Sequence, residues 1–215
     1  MRKSLYIAVL SVVLPFAVNS AQAHDIGDSF YGRANVKIGY TFQGFKGEVE
    51  DFIDELERFG VIDYDTSKST QGINIGIGYD VYYKLNSFIN PFFGLEAQGR
   101  IPISSKIVKN EGAVHSLAEY FRFNSRVGAK IIACKYIAFS PYALVGLNVM
   151  QFEMKAMDFK KTKTGLSVGA GVETIIKDSF TVGIEYRYGS NKMKELEFNE
   201  VKSHNFAVNL GVQFL

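Results

Sequence analysis

Eleven charged side chains fall at alternate positions of otherwise apolar runs: Arg33, Lys37, Asp80, Glu96, Arg100, Arg122, Arg126, Lys130, Glu173, Glu185 and Arg187. Seven of these are basic and four acidic. A period of two places such residues on one face of a β-strand and the apolar residues on the other. A charged face repeated in strand after strand is costly in a soluble core, where a buried charge loses its hydration. The chemistry open to these residues is therefore electrostatic. Gathered in a narrow enclosure they must pair, and would form an ion-paired plug. With the basic excess uncompensated, they would instead line a narrow, weakly anion-preferring conduit.

Hydrolytic chemistry needs a nucleophile, a base and an orienting carboxylate within reach. The histidines are His24, His115 and His204. Ser203 adjoins His204, but neighbours on a strand point to opposite faces. Ser116, beside His115, falls in a polar connecting stretch. No nucleophile motif of the known kinds is present, so no catalytic residue is expected. The histidines lack the partners of a zinc site. The acidic stretch 44–70 lacks the glycine and ligand spacing of a calcium loop, so neither a metal nor a cofactor is expected. Cys134 is the only cysteine, which excludes an internal disulfide. A net charge of +2 gives no argument for nucleic acid.

The runs that carry the charges number eight. The last, 203–215, reads SHNFAVNLGVQFL: Phe206, Val208, Leu210, Val212 and Phe214 share one parity, and Asn205, Ala207, Asn209, Gly211 and Gln213 the other. The same alternation marks 30–43, 71–83, a run from Pro91, 119–131, 139–152, 165–176 and 180–189. In 30–43, for example, Val36, Ile38, Tyr40 and Phe42 oppose Lys37, Gly39, Thr41 and Gln43. A soluble sandwich would turn the apolar rows into a core. A membrane barrel would turn them to lipid and the polar rows to a lumen.

The connections favour the barrel. Short ones (84–90, 132–138, 177–179) alternate with longer polar ones (44–70, 102–117, 153–164, 190–202). Short turns at one end, long loops at the other and an even strand count form the pattern of a bacterial membrane barrel. Tyr40, Phe42, Tyr79, Tyr83, Phe93, Phe121, Tyr186, Tyr188 and Phe214 lie on the apolar parity, as interfacial girdles require. Ten strands would result if 44–70 held a hairpin. Phe52, Ile53, Leu56 and Phe59 instead recur at helical spacing and predict a short amphipathic helix near 48–58. The long loops supply candidate partner-binding residues: Glu48, Asp51 and Glu55 in the first, Lys155, Lys160, Lys161 and Lys163 in the third, Lys192 and Lys194 in the fourth. Loops on a rigid scaffold are where function usually sits. These charges would face lipopolysaccharide phosphates and water, or bind a partner.

Residues 1–23 combine a basic start (Arg2, Lys3), an apolar run and Ala21-Gln22-Ala23, and predict a cleaved signal peptide. That leaves 24–215 as one domain. After it no apolar run is long enough for a membrane-spanning helix. Residues 166–189, LSVGAGVETIIKDSFTVGIEYRYG, resemble the penultimate hairpin of the small OmpA-like and opacity-like surface barrels of Gram-negative bacteria. The shared features are the strand ending in Gly-Val-Glu, the Asp-containing turn and the following Glu-Tyr-Arg-Tyr. The Ser140-Pro141-Tyr142 strand opening and the alternating last strand are similar too. The resemblance implies an all-β, eight-stranded, antiparallel up-and-down transmembrane β-barrel in the outer membrane. It implies a non-enzymatic role as envelope structure, surface antigen or adhesin, with a small diffusion pore as the alternative. It also implies periplasmic chaperones and the barrel-assembly machinery as partners during biogenesis.

Overall fold

A computed structural model describes residues 29–46, 65–66, 69–104, 106–110, 113–154, 159–193 and 198–214. The eight alternating runs form eight long strands: β1 (Phe30–Lys46), β2 (Ser69–Tyr83), β3 (Ile89–Ser104), β4 (Ala113–Cys134), β5 (Ile137–Met154), β6 (Phe159–Ile176), β7 (Phe180–Met193) and β8 (Phe198–Phe214). Each pairs antiparallel with the next, and β1 pairs with β8. The sheet therefore closes on itself as the expected barrel. Closure gives every strand two neighbours for its backbone donors and acceptors, the condition under which strands can cross a hydrocarbon layer. The β1–β8 seam runs without a slip from Ala34 opposite Phe214 to Lys46 opposite Lys202.

The two faces sort as the alternation requires. Leu210 is 55% exposed on the outside and its neighbour Asn209 is 5% exposed on the inside. Ile38, Phe93, Val127, Val145, Ile184 and Val208 join the outer face. Asn35, Thr41, Asn74, Gln98, Asn124 and Asn205 join the inner one. All nine girdle aromatics lie outside; Tyr188 is half-buried and the other eight are exposed.

The short connections are at the expected places, but two are tighter: 84–88 within 84–90 and 135–136 within 132–138, while 177–179 is as expected. The 177–179 turn carries positive φ at Lys177 (50°) and Asp178 (57°), and the Ser179 N–H donates to the Ile176 carbonyl at 3.2 Å. Two successive left-handed residues match the right-handed twist of the flanking strands.

The longer connections differ from expectation. Within 102–117, β3 runs on to Ser104, Lys106–Asn110 forms a short strand, and β4 starts at Ala113. Lys106–Asn110 pairs back on β4, and Asp65–Thr66 pairs on it in turn. His115 and Ser116 are therefore strand residues. Lys160, Lys161 and Lys163 lie in β6, and Lys192 lies in β7, not in loops. The cause is physical: beyond the bilayer the outer face meets water instead of lipid, so the hydrophobic alternation fades while the backbone ladder continues. The predicted helix near 48–58, the signal peptide, and Glu48, Asp51, Glu55, Lys155 and Lys194 lie outside the described residues. The described residues contain no helix.

Val208 sits mid-strand on the outer face, 43% exposed, between Tyr40 and Ile184 in register. Val208→Lys should destabilise the barrel by about 2–4 kcal/mol, the cost of a lysine near the bilayer midplane. Equilibrium unfolding in lipid vesicles, followed by circular dichroism, measures this.

Candidate functional site

All eleven charged residues singled out by alternation point into the barrel and are buried. An eight-stranded barrel encloses only enough space for side chains, so these groups must find partners among themselves. At mid-height Lys37 (β1) donates to Glu96 (β3) at 2.9 Å and to Glu173 (β6) at 2.5 Å. Arg126 (β4) donates to the same two carboxylates at 3.1 and 3.0 Å. Two cations and two carboxylates from four strands thus form a closed ring. Arg126 also lies 3.5 Å from Asp80 on β2. Arg187 (β7) binds Glu185 at 2.5 Å and reaches Glu96 at 3.5 Å. Gln98 donates to the free side of Glu96 at 2.7 Å, and Asn35 to Asp80 at 2.9 Å.

An aromatic layer closes the turn end below the ring. Tyr82, Phe92, Tyr142 and Leu144 pack together with Tyr31 beside them. Tyr31 stacks on Tyr82 at 4.9 Å, and Tyr82 tilts against Phe92 at 5.2 Å. The Arg126 guanidinium lies 4.4 Å from the Tyr142 ring centre, so the aromatic layer and the ring share a cation–π contact. The Tyr142 hydroxyl donates to Glu185 at 2.8 Å.

Below these rings, the mouth is clasped by a residue that alternation cannot reveal. Asp178, in the 177–179 turn, accepts from Lys130 of β4 at 2.6 Å, and its carbonyl accepts from Arg33 of β1 at 2.6 Å. Arg33 and Asp80 are register partners, yet Arg33 swings down to the turn and Asp80 is left to Arg126 and Asn35. Burial pushes the Asp178 carboxyl up from its ordinary 3.8, but the Lys130 hydrogen bond and the charges of Lys130 and Arg33 outweigh it and hold it below.

Toward the loop end, Arg122 pairs with Glu119 and reaches Asn205 at 3.3 Å. The sequence reading missed Glu119. A bulge between Glu119 and Phe121 changes the parity of β4, so Glu119 joins Arg122 on the inner face although the two are three residues apart. Arg100 donates to Gln43 and Thr70. Above it the inner face turns apolar at Phe45, Leu117, Met150, Phe152 and Val201, all buried.

The described partner-binding candidates are spread over both strand faces. On β6, Lys160 is exposed on the outer parity, while Lys161 and Lys163 fall on the inner one. Lys192 is exposed on the outer face of β7. Ser203 is buried inside and His204 lies outside, with its Nδ1 2.5 Å from the Tyr186 hydroxyl, so the two cannot act together. Cys134 is exposed at the end of β4.

The family described as outer membrane protein beta-barrel domain matches residues 11–214. No curated protein sequence matches significantly. Among solved structures, the chain is similar to the attachment invasion locus protein Ail of Yersinia pestis, at 16% identity over 85% of this chain and 99% of that one, with a TM-score of 0.46. It is similar to Neisserial surface protein A, at 15% identity over 84% and 96%, with a TM-score of 0.44. It is also similar to the N-terminal barrel of Pseudomonas aeruginosa OprF, at 12% identity over 85% and 99%, with a TM-score of 0.35.

The clasp predicts a pH dependence. A carboxyl lowered by folding stabilises the protein above its ordinary range, and that contribution is lost as pH falls through the lowered value. Asp178→Asn keeps a side chain that tolerates positive φ. It should cost up to about 1 kcal/mol at pH 7, because the Asp178 side chain is 57% exposed and solvent screens the pair. The difference from wild type should close below about pH 4. Denaturant unfolding in detergent micelles across pH 3–7 checks both parts.

Proposed function

Because the chain belongs to the family of outer membrane protein beta-barrel domains, we propose that it is a non-enzymatic surface protein, with a barrel that is a closed scaffold and a function carried by its outward extensions. The observation that carries this reading is the mid-height ring of Lys37, Glu96, Arg126 and Glu173, which spans the lumen with its charges already paired. A hydrated ion passing through would have to break contacts made from four walls at once. The alternative, a small diffusion pore, requires that ring to open spontaneously.

Strand pairing beyond the apolar belt stiffens the extensions and holds their charges in place. Lys46 and Lys202 stand directly opposite each other across the β1–β8 seam, and Lys192 is exposed on β7 beside it. Like charges facing across a strand pair repel unless something anionic lies between or near them. Lys202 shares its charge with Glu200 at 3.4 Å. A basic rim directly above a lipid-facing belt suits the phosphates of lipopolysaccharide. In this reading the more distal loops are left to contact other cells or host proteins, as in an adhesin or surface antigen.

Refolded protein in planar bilayers should show no steady unitary conductance, and steady single-channel steps would replace the scaffold reading with the pore. Loop truncations that keep heat-modifiable gel mobility but abolish binding to host cells would place function in the extensions. Unchanged binding would remove the adhesin part of the proposal.

A further inference from the structure

Among the described residues, the buried lumen charges near mid-height and at the turn end have carboxylate partners, and Arg100 does not. Arg33 and Lys130 share Asp178, Lys37 and Arg126 share Glu96 and Glu173, Arg122 has Glu119, and Arg187 has Glu185. Arg100 has no carboxylate partner among the described residues. Its side chain is 2% exposed. Its hydrogen bonds among the described residues go to neutral groups: the Gln43 side-chain oxygen, and the Thr70 carbonyl and hydroxyl, each of the last two at 3.3 Å from Nη2. Its Nε is buried with no acceptor, and so is the Nε2 of Gln43, the residue that its guanidinium touches.

A guanidinium cannot shed its proton to escape burial. A buried lysine or carboxyl can neutralise itself, but an arginine must be neutralised by something else. Neutral acceptors offset only part of that cost. Arg122, on the neighbouring strand opposite Gln98, adds a second positive charge at this end of the lumen, and its own carboxylate Glu119 is already engaged. The strand opposite makes room for this arrangement. A Cβ at Gly72 would meet Arg100 Nε at 2.6 Å and Cγ at 3.1 Å, so a side chain there would displace the arginine. The result is a buried cation beside two orphaned N–H donors, near the loop end of the lumen.

We propose that this end of the lumen is a binding site for a small inorganic monovalent anion, held by the Arg100 guanidinium with the Gln43 amide as second donor. Chloride is the natural occupant in an outer-membrane setting open to the medium. The site is a fixed structural anion site that neutralises Arg100, and it holds whether or not the barrel conducts.

The full chain, refolded in detergent micelles, is unfolded thermally in sodium chloride and in sodium gluconate at equal ionic strength. Gluconate is a far bulkier anion than chloride and carries the same single charge. Chloride at tenfold excess over its dissociation constant should raise the midpoint by roughly 4 °C, from the binding linkage and the entropy of unfolding of a domain this size. Arg100→Gln should abolish the chloride-dependent shift. Crystals of the wild-type chain soaked in bromide give a readout that does not depend on the variant folding. An anomalous peak within hydrogen-bonding reach of the Arg100 guanidinium is expected. A midpoint indifferent to chloride, a shift that persists in Arg100→Gln, or bromide peaks that avoid Arg100 would each overturn the proposal.

Discussion

The structure depends on four charges sharing one plane of the lumen. Glu96 and Glu173 come from β3 and β6, and Lys37 and Arg126 from β1 and β4. Each carboxylate touches both cations and each cation touches both carboxylates. Only one of the four contacts joins neighbouring strands. Glu96 and Arg126 sit on paired strands, and Lys37 reaches both its partners across the enclosed space. Lys37 and Glu173 meet only when the sheet has curled from β1 round to β6, so barrel curvature and charge pairing support each other. Leaving one member without its partners exposes a buried charge, which typically costs 3–5 kcal/mol.

The other layers follow from this one. The aromatic group of Tyr31, Tyr82, Phe92 and Tyr142 packs beneath the ring and is tied to it through Arg126 and Glu185. The 177–179 turn is drawn over the mouth because Lys130 and Arg33 extend down to it from β4 and β1. The outer face needs none of this: its aliphatic and aromatic rows are selected by lipid. The barrel thus has two solvents, hydrocarbon outside and its own ion pairs inside. The strands are the boundary between them.

Much of this was legible in the sequence. A strict period of two assigns inner and outer faces wherever one side meets lipid and the other a polar lumen. That logic located the strand cores and the inward charges. It failed where its physical basis fails. The bulge at the top of β4 concealed Glu119, because one inserted residue reverses parity. Asp178 was invisible because a turn residue has no face. In Phe159–Ile176 the first residues, FKKTKT, read as loop because no lipid imposes alternation there, yet the ladder with β5 continues to Met154. Which cation takes which carboxylate was beyond the sequence altogether. Arg33 and Asp80 are register partners and still choose other partners, since the choice depends on reach across the lumen.

The central claim is that Lys37 and Glu173, far apart in sequence and on strands that do not pair, are energetically one unit. A double-mutant cycle on Lys37→Met and Glu173→Gln, read by equilibrium unfolding in vesicles, tests it most directly. A coupled pair gives a double mutant that loses less than the sum of the two single losses, by at least about 1 kcal/mol. Losses that simply add would contradict the shared ring and the closed lumen built on it.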